Sequence, residues 1–255
     1  MLTQAFSRSD EKKFLAKLII ALLFVYICLF EFILEANRIL PKPSLLAESF
    51  VSIWKDYDLL FALIITVSVI YLSMIAGYFV VFSLKNFLSR IYFSYPLMLS
   101  ASKVFKYFPA FFYAVLFEYW FRGSYAAEFF FAFLAISSLY LSSFMGEMKE
   151  VRKDYLIFGK SLGLKDEEIF SKIVWNAIRP GILKSAKRFN FYLWVLVLLF
   201  EFIANVEGLG KVYHQMLTYR DLSGLISVAL IMAVTLYATN KLIEFIIEKS
   251  VTWKD

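Results

Sequence analysis

The chain has 255 residues, of which 61% are hydrophobic and 20% aromatic, and its mean hydropathy is +0.68. Soluble domains are roughly 45–50% apolar, so this composition argues against an ordinary soluble protein. One cysteine, Cys28, excludes an intrachain disulfide, and no Cys/His cluster with metal-ligand spacing is present. The net charge of +6 is read first as a topology signal and only second as a sign of nucleic-acid binding.

Six segments are predicted to cross a membrane, because a spanning helix needs about 20 mostly apolar residues. They cover residues 14–34, 59–84, 103–121, 126–146, 187–206 and 222–245. The third is the least regular, since it begins with two lysines and contains Pro109. The first apolar run is too long for the core of a signal peptide, so we expect it to be retained. The predicted fold class is an all-α integral membrane protein, with residues 1–255 forming one transmembrane domain.

Lysine and arginine are distributed unevenly between the loops. With the N-terminus inside, the loop after the fourth span holds more of these residues than all three outside loops together. Positively charged loops stay in the cytoplasm, so both termini are predicted to be cytoplasmic. Because topology accounts for the positive charge, we expect membrane lipid and no nucleic acid as a partner.

The longest stretch between spans follows the fourth span, and its residues 147–181 are predicted to hold two cytoplasmic helices. The first has helical apolar spacing over residues 153–162 and ends at Gly163, since glycine adopts the left-handed conformation that terminates helices. The second is predicted to begin near Asp166 and to end at Pro180-Gly181, because proline disfavours helix in the residue before it. One wide apolar stripe follows its helical spacing: Ile169, Ile173, Ala177, Phe170, Val174 and Ile178.

This pair of helices admits two interpretations. It could lie on the bilayer surface, with Lys165, Lys172 and Arg179 near anionic headgroups. Alternatively, it could dock a soluble partner and transmit that partner's movement to the adjoining spans. Periodicity alone does not distinguish these possibilities.

The order of residues in the segment adds a further indication. Gly163 is followed by Ile173 and then by Pro180-Gly181-Ile182. This order resembles the signature loop of ABC importer permeases, which has a Glu-Ala-Ala triplet, then a glycine, an isoleucine and a proline. Gly159, Leu162, Gly163 and Ile173 fit that pattern, whereas Ile157-Phe158 stands where it has Glu-Ala and Asn176 where it has proline.

Four other blocks occur in matching order along the chain. They are Leu40-Pro41-Lys42-Pro43-Ser44, Phe108-Pro109 with the run to Trp120-Phe121, Glu201 with Gly208-Leu209-Gly210, and Trp253 after Glu248-Lys249. Together these blocks resemble the nitrate/sulfonate/taurine-type permeases.

The resemblance implies a type I importer permease of a bacterial or archaeal inner (plasma) membrane. Such a chain is not an enzyme and binds no cofactor; cytoplasmic ABC ATPase subunits use ATP and Mg. It implies three kinds of partner: those ATPases, a periplasmic or lipid-anchored solute-binding protein, and a second copy of the chain or a related chain. The solute would be a small, often anionic nutrient.

The resemblance also implies which residues form the coupling segment. Gly163 would provide the turn, with Leu162 and Leu164 as apolar plugs in an ATPase groove. The implied coupling residues are Gly159, Leu162, Gly163, Leu164, Asp166, Glu167, Glu168, Ile169, Phe170 and Ile173.

Five residues are candidates for the solute pathway: Glu201, Lys103, Lys106, Ser138 and Ser142. Acids within spans are functional candidates by default, although Glu201 could instead be a structural partner of a hydroxyl or lysine. Both lysines could attract an anion or extend their side chains to the cytoplasmic surface. The serines could line a pore or serve helix packing.

Three remaining polar residues are interpreted as sites near or at the surface. Glu118 and Glu128 are expected at the outer interface, and His214, the single histidine, at the surface. An ATP-independent secondary carrier or channel is the main alternative function; it would normally show charges deep in several spans or broken helices. A membrane enzyme would need a catalytic cluster, which one histidine and one cysteine do not supply.

Overall fold

The computed structural model describes residues 8–34, 40–94, 110–122, 124–151 and 153–250. Within these ranges the regular structure is helical and no β-strand occurs, which confirms the all-α fold class for this part of the chain. Lys103, Lys106, Phe108-Pro109 and Trp253 lie outside the described residues.

The described chain contains helices of very different length, given in chain order. They are α1 (Arg8–Ile27), α2 (Pro43–Asp56), α3 (Leu59–Ser94), α4 (Ala110–Trp120), α5 (Tyr125–Glu150), α6 (Lys153–Ser161), α7 (Asp166–Ala204), α8 (Leu209–Tyr219) and α9 (Leu222–Ser250). Two segments have π-helical hydrogen bonding: Cys28–Ile33, which continues α1, and Ile169–Val174, which lies inside α7.

Four helical segments of the described chain are long and apolar enough to cross a membrane. They are Lys13–Ile33, Leu59–Arg90, Ala126–Glu150 and Leu222–Ser250, which overlap the predicted first, second, fourth and sixth spans. A fifth results if α7 and α8, bent by 54° at their junction, count as one span. The chain is therefore a helical multi-span membrane protein by helix length and composition. Of the predicted third span, the described chain contains only the part in α4 and Phe121.

The prediction that the second cytoplasmic helix ends at Pro180-Gly181 is wrong. Pro180 lies inside α7, which continues without a break into the predicted fifth span. Proline has no N–H to donate to the carbonyl of Asn176, and this local cost favours a helix end. The buried face of the helix, which includes Ile178, Ile182 and Phe189, supplies packing that outweighs this cost.

The predicted apolar stripe of this helix is also only partly correct. The π-helical segment adds one residue to a turn, so Val174, five residues after Ile169, takes the next place on the buried face. Ile178 follows on that face, whereas Ile173 is half-buried and Ala177 is exposed. A regular 3.6-residue period cannot anticipate this shift.

α7 lies at the centre of the bundle and packs against α3, α4, α5, α8 and α9. Its buried Asn190 accepts a hydrogen bond from Tyr71 Oη of α3 at 3.0 Å and donates to Asn240 Oδ1 of α9 at 2.9 Å. Such interhelical bonds satisfy polar groups within an apolar bundle. One polar side chain thus ties together three helices.

Two helices, α2 and α8, lie in segments that were predicted to be outer loops. α2 begins with Pro43 in the first turn, where a missing N–H costs little, and it packs against α9. α1 is joined to the start of α2 by Tyr26 Oη, which donates to Pro41 O at 2.7 Å, and by Ser44 N, which donates to Glu31 at 3.1 Å.

Candidate functional site

The predicted coupling segment folds as a helical hairpin made of α6, a turn, and the first turns of α7. Gly163 has φ +72°, the left-handed conformation predicted for it. Its N–H donates to Lys160 O at 3.0 Å, and Leu164 N donates to Gly159 O at 3.2 Å. These bonds satisfy carbonyls at the end of α6 and reverse the chain direction.

Close contact between the two arms of the hairpin depends on Gly159. A β-carbon at this position would lie 2.7 Å from Ile169 Cγ1, which is closer than real side chains allow. Ile169 is buried, and Leu156 and Leu164 also pack against the core of the bundle. The hairpin is therefore held to the bundle along its inner face.

The outer face of the hairpin carries an exposed apolar patch formed by Ile157, Phe158 and Leu162. These side chains are 65%, 58% and 58% exposed, respectively. Ile157 and Phe158 stand where the resembled pattern has Glu-Ala. Exposed apolar clusters rimmed by polar residues are typical of interaction sites.

Three acids, Asp166, Glu167 and Glu168, lie at the start of α7, and each has a different environment. Glu168 Oε2 accepts a bond from Lys165 N at 3.2 Å, and Oε1 accepts one from Lys172 Nζ at 3.1 Å. The backbone bond, followed by Lys172, lowers the pKa of Glu168 below its ordinary value. Glu167 forms an ion pair of 2.8 Å with Arg90 of α3, and Asp166 is exposed.

The ten implied coupling residues thus fall into two groups. Leu162, Gly163, Asp166 and Glu167 are exposed, and Glu168 is partly so, as a docking surface requires. The inward-facing group is Gly159, Leu164, Ile169, Phe170 and Ile173, buried or half-buried. The residues of the second group pack against the bundle and hold the hairpin in place.

At the opposite end of α7, Glu201 is fully buried inside the bundle. Its carboxylate accepts bonds from Thr66 Oγ1 at 2.6 Å and from Gly210 N at 2.7 Å. Leu209 N in turn donates to Thr66 Oγ1 at 2.9 Å. This arrangement matches the structural alternative considered for Glu201, a partner for a hydroxyl group.

The spacing between Glu201 and Gly208-Leu209-Gly210 has a physical reason in this corner. A β-carbon at Gly208 would overlap the Glu201 carboxylate, and one at Gly210 would overlap Leu198 O. The glycines let the start of α8 fold back onto the end of α7. One α8 N–H then reaches the buried acid.

Glu128 lies in the same region, in the first turn of α5, where it is buried inside the bundle; its expected depth at the outer interface stays a prediction. It is 0% exposed, and Glu201 is the one described residue that offers its carboxyl group a hydrogen bond. Its carboxyl group nevertheless interacts electrostatically with that of Glu201. The hydrogen-bond donors Thr66 and Gly210 both serve Glu201. The sequence did not indicate that a second buried acid lies beside it, because this pairing depends on how α5 packs against α7.

An open cavity of about 310 Å³ lies between α5 and α7, near the predicted cytoplasmic ends of the fourth and fifth spans. It is lined by Leu139, Ser142, Ser143, Gly146, Glu147, Ser185, Arg188, Phe189 and Tyr192. An adjoining cavity of about 320 Å³ shares Glu147, Ser185 and Arg188 and adds Gly181 and Lys184.

The predicted pathway residues Ser138 and Ser142 belong to this side of α5. Exposed positions along the helix change from Phe130 and Leu134 to Ser138, Ser142 and Gly146. A face that met only lipid would remain apolar along its length. Ser142 lines the cavity and Ser138 lies one turn away, whereas Glu201 is not among the lining residues.

No protein-family model matches the chain, and no curated protein is significantly similar to it. Three features of the described chain bear on function: the hairpin, the buried acid pair and the polar cavity.

Proposed function

We propose that the chain is the transmembrane permease subunit of an ATP-driven importer, coupled to cytoplasmic ATPase subunits through the hairpin of α6 and α7. The solute is a small nutrient, and the subunit acts with a solute-binding protein and a second copy or a related chain. The order of sequence blocks and the exposed apolar patch on the hairpin support this proposal.

The observation that carries the proposal is the apolar patch of Ile157, Phe158 and Leu162. Here the inner side of the hairpin, with Ile169, packs on the protein, while the patch faces away from it. A soluble partner with an apolar groove would bury this patch.

The continuity of α7 supports a route for mechanical coupling. Its 39 residues from Asp166 to Ala204 span about 60 Å at 1.5 Å per residue. At its first turns Glu167 is paired with Arg90, and Trp175 packs against Phe82 with ring centroids 5.7 Å apart. Movement of the hairpin would therefore be transmitted along one helix through the centre of the bundle.

Replacing Gly163 tests the proposal. Gly163→Pro removes the N–H that bonds to Lys160 O and fixes φ near −65°, which is incompatible with the observed +72°. We expect the variant to insert into the membrane but to lose solute-stimulated ATP hydrolysis in the reconstituted complex; Gly163→Trp is expected to do the same.

Gly163→Ala is the matched control for this experiment. A β-carbon there meets nothing within 4 Å, so only about 1–2 kcal/mol of backbone strain opposes the turn. We expect this variant to retain part of the stimulation. Normal stimulation in Gly163→Pro would remove the docking role of the hairpin.

An ion-coupled carrier is the second candidate, and the buried pair of Glu128 and Glu201 favours it. Buried acids within spans often bind the coupling ion of carriers. The carrier predicts solute uptake by the reconstituted chain without an ATPase, and loss of uptake in Glu128→Gln. The permease predicts no uptake by the chain alone.

A further inference from the structure

The inner half of the α5–α7 interface concentrates hydroxyl groups around a cation. Ser142 and Ser143 of α5 and Ser185 of α7 line the same cavity as Arg188. Ser143 Oγ donates to Ser185 Oγ at 3.2 Å, which joins the two helices and leaves the Ser185 hydroxyl proton free for another acceptor.

The charges around the cavity are not balanced within the described chain. Lys184 and Arg188 lie one turn apart on α7, and both are exposed. The one acid in the lining, Glu147, borders both cavities and interacts electrostatically with Lys184. No described acid forms an ion pair with Arg188, whose guanidinium lies 5.8 Å from the ring of its neighbour Phe189. One guanidinium therefore faces the cavity without a counter-ion from the described chain.

We propose that this cavity binds an oxyanion, a phosphate, sulfonate or carboxylate group, with Arg188 as its principal ligand. A guanidinium donates two parallel N–H bonds to two oxygens of such a group, and the Ser142 and Ser185 hydroxyls supply further donors. The volume of about 310 Å³ accommodates a small anion or a lipid headgroup.

The cavity lies near the predicted cytoplasmic surface of the membrane. Two kinds of molecule could supply the oxyanion group there. One is a free solute anion on its way through the bundle, and the other is the headgroup of an anionic lipid. Neither requires an ATPase partner. The binding inference therefore stands or falls separately from the proposed transport function.

Lys187 provides a matched control for Arg188. It is on the same helix, one residue away, but its Nζ forms an ion pair of 3.3 Å with Glu244 of α9. Lys187→Gln and Arg188→Gln remove the same charge from the same turn of α7. They differ in whether the lost cation lines the cavity.

Gly146 provides a second test that leaves every charge in place. A β-carbon at Gly146 meets nothing within 4 Å, and the residue lines the cavity. Gly146→Leu therefore fills space that the ligand would occupy, and it favours the helical backbone. A folded Gly146→Leu protein with blocked binding locates the site without relying on an arginine variant.

The experiment measures the binding of two kinds of anion to the full chain. In the first arm, the chain sits in nanodiscs of phosphatidylcholine, and binding of radiolabelled sulfate and inorganic phosphate is measured by scintillation proximity. In the second arm, the chain is in detergent, and binding of spin-labelled phosphatidylglycerol is compared with spin-labelled phosphatidylcholine. Size-exclusion profiles and melting temperatures verify that each variant is folded.

We expect saturable binding in at least one arm, and the arm identifies the source of the anion. Arg188→Gln should weaken it about tenfold or more, since a charge-assisted bond contributes roughly twice as much as a neutral one. Gly146→Leu should abolish it, and Lys187→Gln should leave it unchanged. No saturable binding in either arm, equal weakening in Lys187→Gln, or unchanged binding in Arg188→Gln or Gly146→Leu would overturn the proposal.

Discussion

Glu201 shows how a single buried residue organises the corner between α7 and α8. Its carboxylate is satisfied by Thr66 and by the N–H of Gly210, and both Gly208 and Gly210 are required because side chains there would overlap their neighbours. The acid and the glycines could be identified in the sequence. Thr66 could not, since it is distant in the chain and only the packing of α3 brings it near.

Two glycine-to-alanine changes should therefore differ sharply. Gly210→Ala places a β-carbon against Leu198 O and 2.6 Å from Glu201 Cβ, so we expect a destabilisation of about 1–3 kcal/mol from overpacking. Gly146→Ala, whose β-carbon meets nothing within 4 Å, is the control and should be at least as stable as the wild type. Thermal unfolding in detergent measures both, and equal melting temperatures would contradict this account of the corner.

Tyr57, in the short connection between α2 and α3, gives a pH-dependent prediction. Burial and the carboxylate of Asp221, to which Tyr57 Oη donates at 3.2 Å, raise the pKa of Tyr57 from 10.0 to about 12. The folded state thus holds the phenol proton more tightly than the unfolded state. This stabilisation is complete below pH 10 and is lost as the pH rises from 10 to 12.

Comparing wild type with Tyr57→Phe isolates this effect, because phenylalanine cannot donate to Asp221. The excess stability of the wild type over Tyr57→Phe should shrink between pH 10 and pH 12, measured as the difference in unfolding midpoint. A constant difference from pH 9 to pH 12 would show that the contact does not shift the titration of Tyr57.

Among the elements, the hairpin of α6 and α7 was partly predictable. Local signals sufficed for the two helices and for the turn at Gly163. They failed at Pro180, which locally favours a break, because the burial of Ile178, Ile182 and Phe189 depends on contacts with other helices. The π-helical segment Ile169–Val174 was not predicted either, because a regular 3.6-residue period does not indicate the added residue in its turn.

The attachment of α6 to α7 should depend on the absence of a side chain at Gly159. Gly159→Val would displace the buried Ile169 and detach α6, so its backbone amides should exchange hydrogen faster. Lys160→Val introduces the same residue at an exposed position of α6 and is the control. Faster exchange confined to residues 153–161 in Gly159→Val alone is the expected result; identical exchange in both variants would exclude the contact as an anchor.

For the whole molecule, composition was sufficient to predict a helical multi-span membrane protein, and four predicted spans correspond to long apolar helices. The polar cavity was less accessible to sequence reasoning. Small polar residues on α5 indicated Ser142, but Arg188 was counted only as a topology charge. Its position beside Ser142 follows from the packing of α5 against α7, which the sequence does not specify locally.

Orientation can be tested with single cysteines in a Cys28→Ser background. Leu162→Cys, at an exposed position of the hairpin, is predicted to face the cytoplasm, and Tyr219→Cys, at the exposed end of α8, to face outside. A membrane-impermeant maleimide should label Tyr219→Cys in intact cells and Leu162→Cys only after permeabilisation. The reverse pattern would invert the topology and place the hairpin outside.

The proposed function requires the apolar patch to couple this chain to an ATPase. Its most direct measurement is ATP hydrolysis by the complex purified through this chain from its native membrane. Wild type and Tyr219→Glu, an exposed change at the predicted outer side, should retain an ATP-hydrolysing subunit, and Phe158→Glu should lose it because a charge would be buried in an apolar groove. Full hydrolysis in Phe158→Glu, or solute uptake by the reconstituted chain alone, would contradict the account.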